Sequence, residues 1–251
     1  MRDTRLLWQQ MRRSLIIARK DIRIYYFKGP VIIFGVLFPV FLFLSFTIGR
    51  HMSVDFMTPG LLGMILFFTA TSISPIVVPW EAQARTLERL MSCPIRLETI
   101  IMGDVLASFA FGIGISLVPI ILGLFLGITI SGVVIFALAV ILAALCFASL
   151  GNVFSIPPTN LPATVNMIAS VVKFPVVFIS GIFIPLNELP SWGQAIAYIS
   201  PLTYFTDIAR NCIQGHGYLP LALDFAVLIA FTTVFLVVAM KMHQRTMPRR
   251  I

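Results

Sequence analysis

Val133-Val-Ile-Phe-Ala-Leu-Ala-Val-Ile-Leu-Ala-Ala-Leu-Cys-Phe-Ala-Ser-Leu-Gly-Asn-Val-Phe154 contains no charged residue. Its length matches the roughly 20 apolar residues that a helix needs to cross the hydrocarbon core of a bilayer. A barrel strand would alternate polar and apolar side chains and span in about 9–11 residues. Backbone groups in lipid must be satisfied within their own segment, so the run reads as a helix. Working outward, five more segments read alike: Pro30 to Ile48, Phe56 to Val78, Val105 to Ile130, Ala163 to Ile184 and Leu219 to Met240. Within all six, only Lys173 and Asp224 are charged. The fold class expected is therefore an all-α integral membrane protein with six transmembrane helices.

The composition agrees. The chain has 251 residues, a mean hydropathy of +0.98, 59% hydrophobic residues and 11% charged ones. A soluble domain carries about 25% charged residues. A soluble enzyme, a nucleic-acid-binding module and a disulfide scaffold are poor readings. Net charge is +8, but its placement points to a membrane face. Arg2, Arg5, Arg12, Arg13, Arg19, Lys20, Arg23 and Lys28 precede the first span. Arg85, Arg89 and Arg96 follow the second, and Lys241, Arg245, Arg249 and Arg250 follow the last. The opposite side holds Arg50 and Arg210. Positive residues favour the cytoplasm, so both termini and the 80–100 loop are expected there, in a multi-pass protein of the cell membrane. The first apolar run starts too late and is too long for a cleavable signal peptide. Cys93, Cys146 and Cys212 are isolated and imply no disulfide.

Three features lie outside the spans. Leu7, Met11, Leu15, Ala18, Ile22 and Tyr25 recur at helical spacing, with basic residues mostly on the other face, so residues 1–29 read as an amphipathic interfacial helix. It either anchors in anionic lipid or also braces a cytoplasmic partner. Trp80 to Pro94 reads as a loop helix with a Pro stop. Leu87, Leu90 and Met91 share a face, Glu81 is placed to pair with Arg85, and Arg85 repels Arg89 at the same spacing. Beyond the fifth span, Pro190 and Pro201 stand where helices commonly start. Two short helices dipping into the outer leaflet are expected there, with Trp192, Tyr198 and Tyr204 at interface depth and Ser200 as a cap.

Taken in order, these features resemble the membrane subunit of an ABC-2 type exporter. The residues that carry the likeness are Arg85-Thr-Leu-Glu88-Arg-Leu…Ser92-Cys-Pro94 and Phe178-Ile-Ser180-Gly181-Ile-Phe-Ile-Pro185…Leu189-Pro190. Ser200-Pro201-Leu-Thr-Tyr204…Asp207…Arg210…Gly215 closes the set. The likeness covers nearly the whole chain, residues 30–251 forming the six-helix transmembrane domain. One departure is visible: the family often has Gly just before Thr-Leu-Glu, and here Arg85 stands there.

The resemblance implies export driven by ATP hydrolysed on a separate cytoplasmic ABC ATPase subunit, with ATP and Mg held by that partner and no cofactor on this chain. It implies two permease subunits, identical or different, around the path. Glu81, Arg85, Thr86, Leu87, Glu88 and Arg89 would couple to the ATPase, and Pro190, Trp192, Pro201, Tyr204, Asp207 and Arg210 would belong to the outer re-entrant helices. Relatives of this type move drugs, lipid-linked glycans and other amphiphiles.

The residues themselves agree on one point. A Gly-Lys-Ser/Thr phosphate loop needs a Lys directly after Gly. Lys20, Lys28, Lys173 and Lys241 all follow other residues, so ATP-driven work needs a partner. Lys173 is costly within a bilayer, and Asn166, Ser170 and Ser180 share its helical face. That stripe suits a wall of the translocation path or a subunit seam; a snorkelling or carbonyl-bonded lysine is the other reading. Asp224 can reach the interface, Asp207 and Arg210 can pair locally, and Gly123 and Gly127 permit close helix contact. His51, His216 and His243 have no zinc-type spacing, and no Gly-x-Ser-x-Gly elbow exists. A channel or secondary transporter working without ATP is the competing function, though no inverted repeat is visible. A lipid-modifying enzyme would need clustered acids or histidines.

Overall fold

The structure is a computed structural model, and it describes residues 2–26, 29, 33, 37–47, 54–93, 95–125 and 127–247. Among these residues the chain is helical, with no strand. Helix α1 (Arg2–Asp21) runs into a π-helical turn (Ile22–Tyr26). Then come α2 (Phe38–Thr47), α3 (Val54–Ser72), α4 (Ser74–Gln83), α5 (Thr86–Met91), α6 (Leu97–Phe125), α7 (Val133–Phe154) and α8 (Pro162–Ile179). A 3-10 turn (Leu186–Glu188), α9 (Ser191–Ala197), α10 (Pro201–Gln214) and α11 (Leu221–Thr246) complete the chain.

Among the described residues, five stretches are long and apolar enough to cross a bilayer: Asp55–Gln83, Leu97–Phe125, Val133–Phe154, Pro162–Ile179 and Leu221–Thr246. Of the first expected span, Pro30 to Ile48, the described residues are 33 and 37–47, with α2 as their largest part. Lys28, Arg50, His51, Pro94, Arg249 and Arg250 lie outside them as well. Two boundaries need correction. The helix expected from Val105 starts at Leu97, which takes Glu98 and Asp104 inside it, so Lys173 and Asp224 are not the only charges within the apolar helices. The second span continues to Gln83 but is interrupted at Ile73. Pro75 causes the break: it has no N–H for the Thr71 carbonyl, and its ring crowds that oxygen.

Helices α3, α6, α7 and α11 pack around one core, with α10 buried among α3, α7 and α11. Phe67 of α3, Phe147 of α7 and Phe205 of α10 meet edge to face, at centroid separations of 5.2 and 6.3 Å. A second apolar cluster brings together Ile17 of α1, Val78 of α4, Leu87 of α5, Ile100 and Ile101 of α6, and Ala239 and Met247 near the end of α11. The end of α1, the α4–α5 segment, the start of α6 and the end of α11 therefore share one end of the bundle. The charge distribution of the sequence requires that grouping.

The face α1 presents to the bundle is the expected one only in part: Ala18, Ile22 and Tyr25 belong to it, Met11 and Leu15 do not. Ser14, Ile17, Ala18, Asp21 and Tyr25 are buried, while Met11 and Leu15 remain exposed. Gly103 sets this choice, because a Cβ there would lie 2.6 Å from Ile17 Cγ2. Ser14 Oγ donates to the Thr99 carbonyl at 3.0 Å beside this crossing.

Candidate functional site

The segment expected to couple is a helix broken twice. After Ile73, α4 begins with Pro75 in its first turn and runs to Gln83. Arg85 then takes φ 54° and ψ 23°, and α5 restarts at Thr86. Among the described residues, Arg85 is the one non-glycine with positive φ. It stands where the resembled family often has glycine, the residue that enters this region without steric cost. The turn corrects the expected Glu81–Arg85 pairing, which presumed an unbroken helix. Glu81 is buried and accepts a hydrogen bond from Lys20 of α1 instead. The Thr86 hydroxyl donates to the Glu81 carbonyl at 3.2 Å.

The six residues of this segment thus divide. Glu81 and Leu87 point inward, Leu87 into the cluster of Ile17, Val78 and Ile100. Arg85, Thr86, Glu88 and Arg89 are exposed. Leu90 and Met91 are half-buried beside Leu87, so the apolar face read from the sequence is the one that packs.

Behind Glu81 lies a polar cluster that the sequence did not announce. Lys20 Nζ is 3.0 Å from Asp21 Oδ1 and also meets Glu81. Asp104 of α6 is within hydrogen-bonding reach of Asp21. Tyr26 Oη and Ser74 Oγ both hydrogen-bond to Ser108 Oγ, and Tyr25 stacks on Trp80 at 5.4 Å. Burial opposes the charge of Lys20, but the carboxylates of Asp21 and Glu81 outweigh it and hold the ammonium above its usual value. Burial pushes the Asp21 carboxyl above the ordinary carboxylate range, with Asp104 and Lys20 drawing it back. Residues 20, 21, 81 and 104 are distant in sequence and come from three helices, so no local pattern flags them. Asp104, inside an apolar helix, was the one available signal.

On α8, Val165, Ala169, Lys173 and Val177 form the buried face against α4. Lys173 is 3% exposed, and its Nζ donates to the Thr71 carbonyl at 2.7 Å. Asn166 and Ser170 flank this face, half-buried, and the Ser170 hydroxyl donates to the Asn166 carbonyl at 2.8 Å. Ser180 is buried and donates to Val177. Lys173 has the carbonyl-bonded geometry, directed into its own subunit.

At the other end of the bundle, Ser200 Oγ accepts from Leu202 N–H and caps α10, and α9 follows directly on Pro190. Trp192 is exposed at 67%. Tyr204, expected at interface depth, is buried, and its hydroxyl donates to the Tyr198 carbonyl at 2.7 Å. Asp207 and Arg210 do not pair with each other. Arg210 donates to the Gly181 carbonyl at 2.6 Å, while Asp207 accepts from the Tyr218 and Leu219 amides at 2.8 Å. Their partners lie on loops that the i, i+3 spacing could not reveal. Asp224 is wholly buried beside Asp207. Among the described residues, no cluster of His, Cys, Asp or Glu could hold a metal.

The family model for the ABC-2 type transporter matches residues 5–213, which take in most of α1, the α4–α5 segment, α9 and nearly all of α10. The chain belongs to the ABC-2 type transporter family. This ABC-2 permease is 24% identical to the inner membrane transport permease YadH of Escherichia coli over 193 residues, 76% of this chain and 75% of the relative. It is 26% identical to nodulation protein J of Rhizobium meliloti over 216 residues, 82% and 80% of the two chains. The Escherichia coli protein named probable multidrug ABC transporter permease YbhR is 25% identical over 165 residues, 62% of this chain and 43% of that one. The protein is a multi-pass membrane protein, and its family role is that of a transport permease subunit.

Proposed function

We propose that this permease forms the translocation path of an ATP-driven exporter as one of two membrane subunits, with a separate cytoplasmic ABC ATPase docked on α5. The observation that carries this reading is the pair of surfaces on α5. Leu87 is sunk into the bundle, while Arg85, Thr86, Glu88 and Arg89 present unburied charge and polarity to a partner. In this reading the α5 end is cytoplasmic, residues 30–48 complete a sixth span, and α9 and α10 close the outer exit. α1 lies in the headgroup plane. ATP and Mg belong to the ATPase.

α8 is the proposed path-lining helix. Its exposed Met167, Val171 and Phe178 face the second subunit or the cargo, with Asn166 and Ser170 at their edge. Lys173 and Ser180 hold the helix from behind. An apolar lining suits an amphiphile of drug-like, lipid or glycan-lipid type, and the multidrug name of one relative supports that class.

The test is purification from native membranes in mild detergent, comparing the wild type with a Glu88→Lys/Arg89→Glu variant. A stoichiometric P-loop ATPase that is lost from the variant, with the bundle still folded, is the expected result. A chain that purifies alone and moves solute in liposomes without ATP would overturn the reading in favour of a channel or secondary transporter.

A further inference from the structure

A crevice of about 660 Å³ lies between α1 with its π-helical turn and the middle of α6. Leu15 and Ile22 wall one side, and Leu106 and Phe109 wall the other. Ala18 and Ala110, too small to fill it, leave the space open. Arg19 and Arg23 line it too. They stand four residues apart across the junction of helix and π turn, and both are exposed. Among the described residues neither makes an ion pair. The nearby acids, Asp21 and Glu81, are turned to Lys20.

Two further observations limit what can occupy the crevice. Ala110 continues along α6 into Gly114, Leu117 and Ile121, an exposed stripe at helical spacing within the candidate span Leu97–Phe125. On α1, Trp8, Met11, Leu15 and Ile16 are also exposed, and a tryptophan beside basic residues suits the level of lipid headgroups. An occupant must therefore be hydrocarbon along α6 and anionic at Arg19 and Arg23.

We propose that this crevice is a specific site for one anionic phospholipid. One acyl chain lies between α1 and α6 and continues down the α6 stripe, and the phosphate sits against the two guanidinium groups. A zwitterionic lipid offers the same chain but carries an ammonium that the two arginines repel. A free anion has no use for the apolar walls. The lipid is a wedge that fills the contact between α1 and the bundle without touching the ATPase-facing side of α5.

The test uses the full chain in nanodiscs of equal parts phosphatidylglycerol and phosphatidylethanolamine. Native mass spectrometry after release counts the lipid retained. One phosphatidylglycerol per chain is expected, held in preference to phosphatidylethanolamine. Arg19→Gln and Arg23→Gln should each weaken its retention about five-fold, as for one basic residue at an anionic surface. Ala110→Phe should displace the lipid with both arginines intact. If that variant fails to insert, the arginine variants, which change only exposed groups, read the same point. Equal retention of both lipids, or undiminished phosphatidylglycerol on the Arg19→Gln/Arg23→Gln chain, overturns the proposal. So does efficient cross-linking between copies through Ala110→Cys, which would put a second chain in the crevice. None of these readouts depends on an ATPase.

Discussion

Lys173 Nζ donates to the carbonyl oxygen of Thr71 at 2.7 Å, the acceptor that residue 75 would satisfy in a continuous helix. Residue 75 is a proline. A lysine from α8 thus supplies the hydrogen bond that the break between α3 and α4 leaves open, and the ring of Phe154 stands 5.9 Å from its Nζ.

Lys173→Met should leave the Thr71 carbonyl buried without a donor, at a cost of about 1–3 kcal/mol. Pro75→Ala restores a backbone N–H at the right position. The double variant should therefore be more stable than Lys173→Met alone, as read from thermal unfolding in mild detergent. A purely additive result would sever the link between these two residues.

Arg85 holds a left-handed conformation that costs a side-chain-bearing residue about 1–2 kcal/mol. Arg85→Gly should raise the unfolding midpoint or leave it unchanged, despite the loss of a charge. Arg85→Val should lower it, since a β-branched residue resists this region most. A destabilised glycine variant would mean that the guanidinium, rather than the turn, matters at this position.

Gly103→Ala places a methyl group 2.6–2.7 Å from Ile17 side-chain atoms. Overpacking of this kind costs about 1–3 kcal/mol, and α1 is the element free to give way. Amide exchange should quicken in residues 14–21 while α7 and α10 keep their protection. Uniform loosening of the whole chain would contradict this local account.

Asp21 sets a pH dependence. Its unfolded value is about 3.9, and burial raises the folded one. Between those two values the folded state holds more protons, so stability falls as pH rises through that window. The groups facing it are Lys20, Glu81, Asp104 and the Tyr26 hydroxyl region. The unfolding midpoint should rise as pH is lowered towards the unfolded value of about 3.9, and Asp21→Asn, which mimics the protonated form, should flatten that rise. An unchanged slope in Asp21→Asn would assign the effect elsewhere.

The apolar helices were legible because a run such as Val133–Phe154 leaves no alternative in lipid. The Ser200 cap and the Pro190 and Pro201 helix starts were legible for the local reason that capping and proline chemistry act within three residues. The face of α1 was legible only in part. Hydrophobic periodicity picked out Ala18, Ile22 and Tyr25, which pack, along with Met11 and Leu15, which do not; lipid accepts apolar side chains as readily as a protein core does, and Ser14, Ile17 and Asp21 complete the contact. Pro75 and Arg85 were visible as letters. The helix breaks they produce depend on the Thr71 carbonyl and on a backbone turn that one sequence does not display. The Lys20, Asp21, Glu81 and Asp104 cluster joins residues up to 84 positions apart, beyond the reach of any spacing rule.

Two lysines from other helices hold the stretch from Thr71 to Glu81: Lys20 at Glu81 of α4, and Lys173 at the Thr71 carbonyl of α3, just before the Ile73 break. Between those grips lie residues 72–80, so at the helical rise the two holds stand about 15 Å apart. A rod clamped in this way behaves as a crank. Its lower end cannot swing without dragging α1 along, and its upper end turns against α8. Under the proposed docking of an ATPase on α5, a push there is divided between two destinations, α1 through Lys20 and α8 through Lys173.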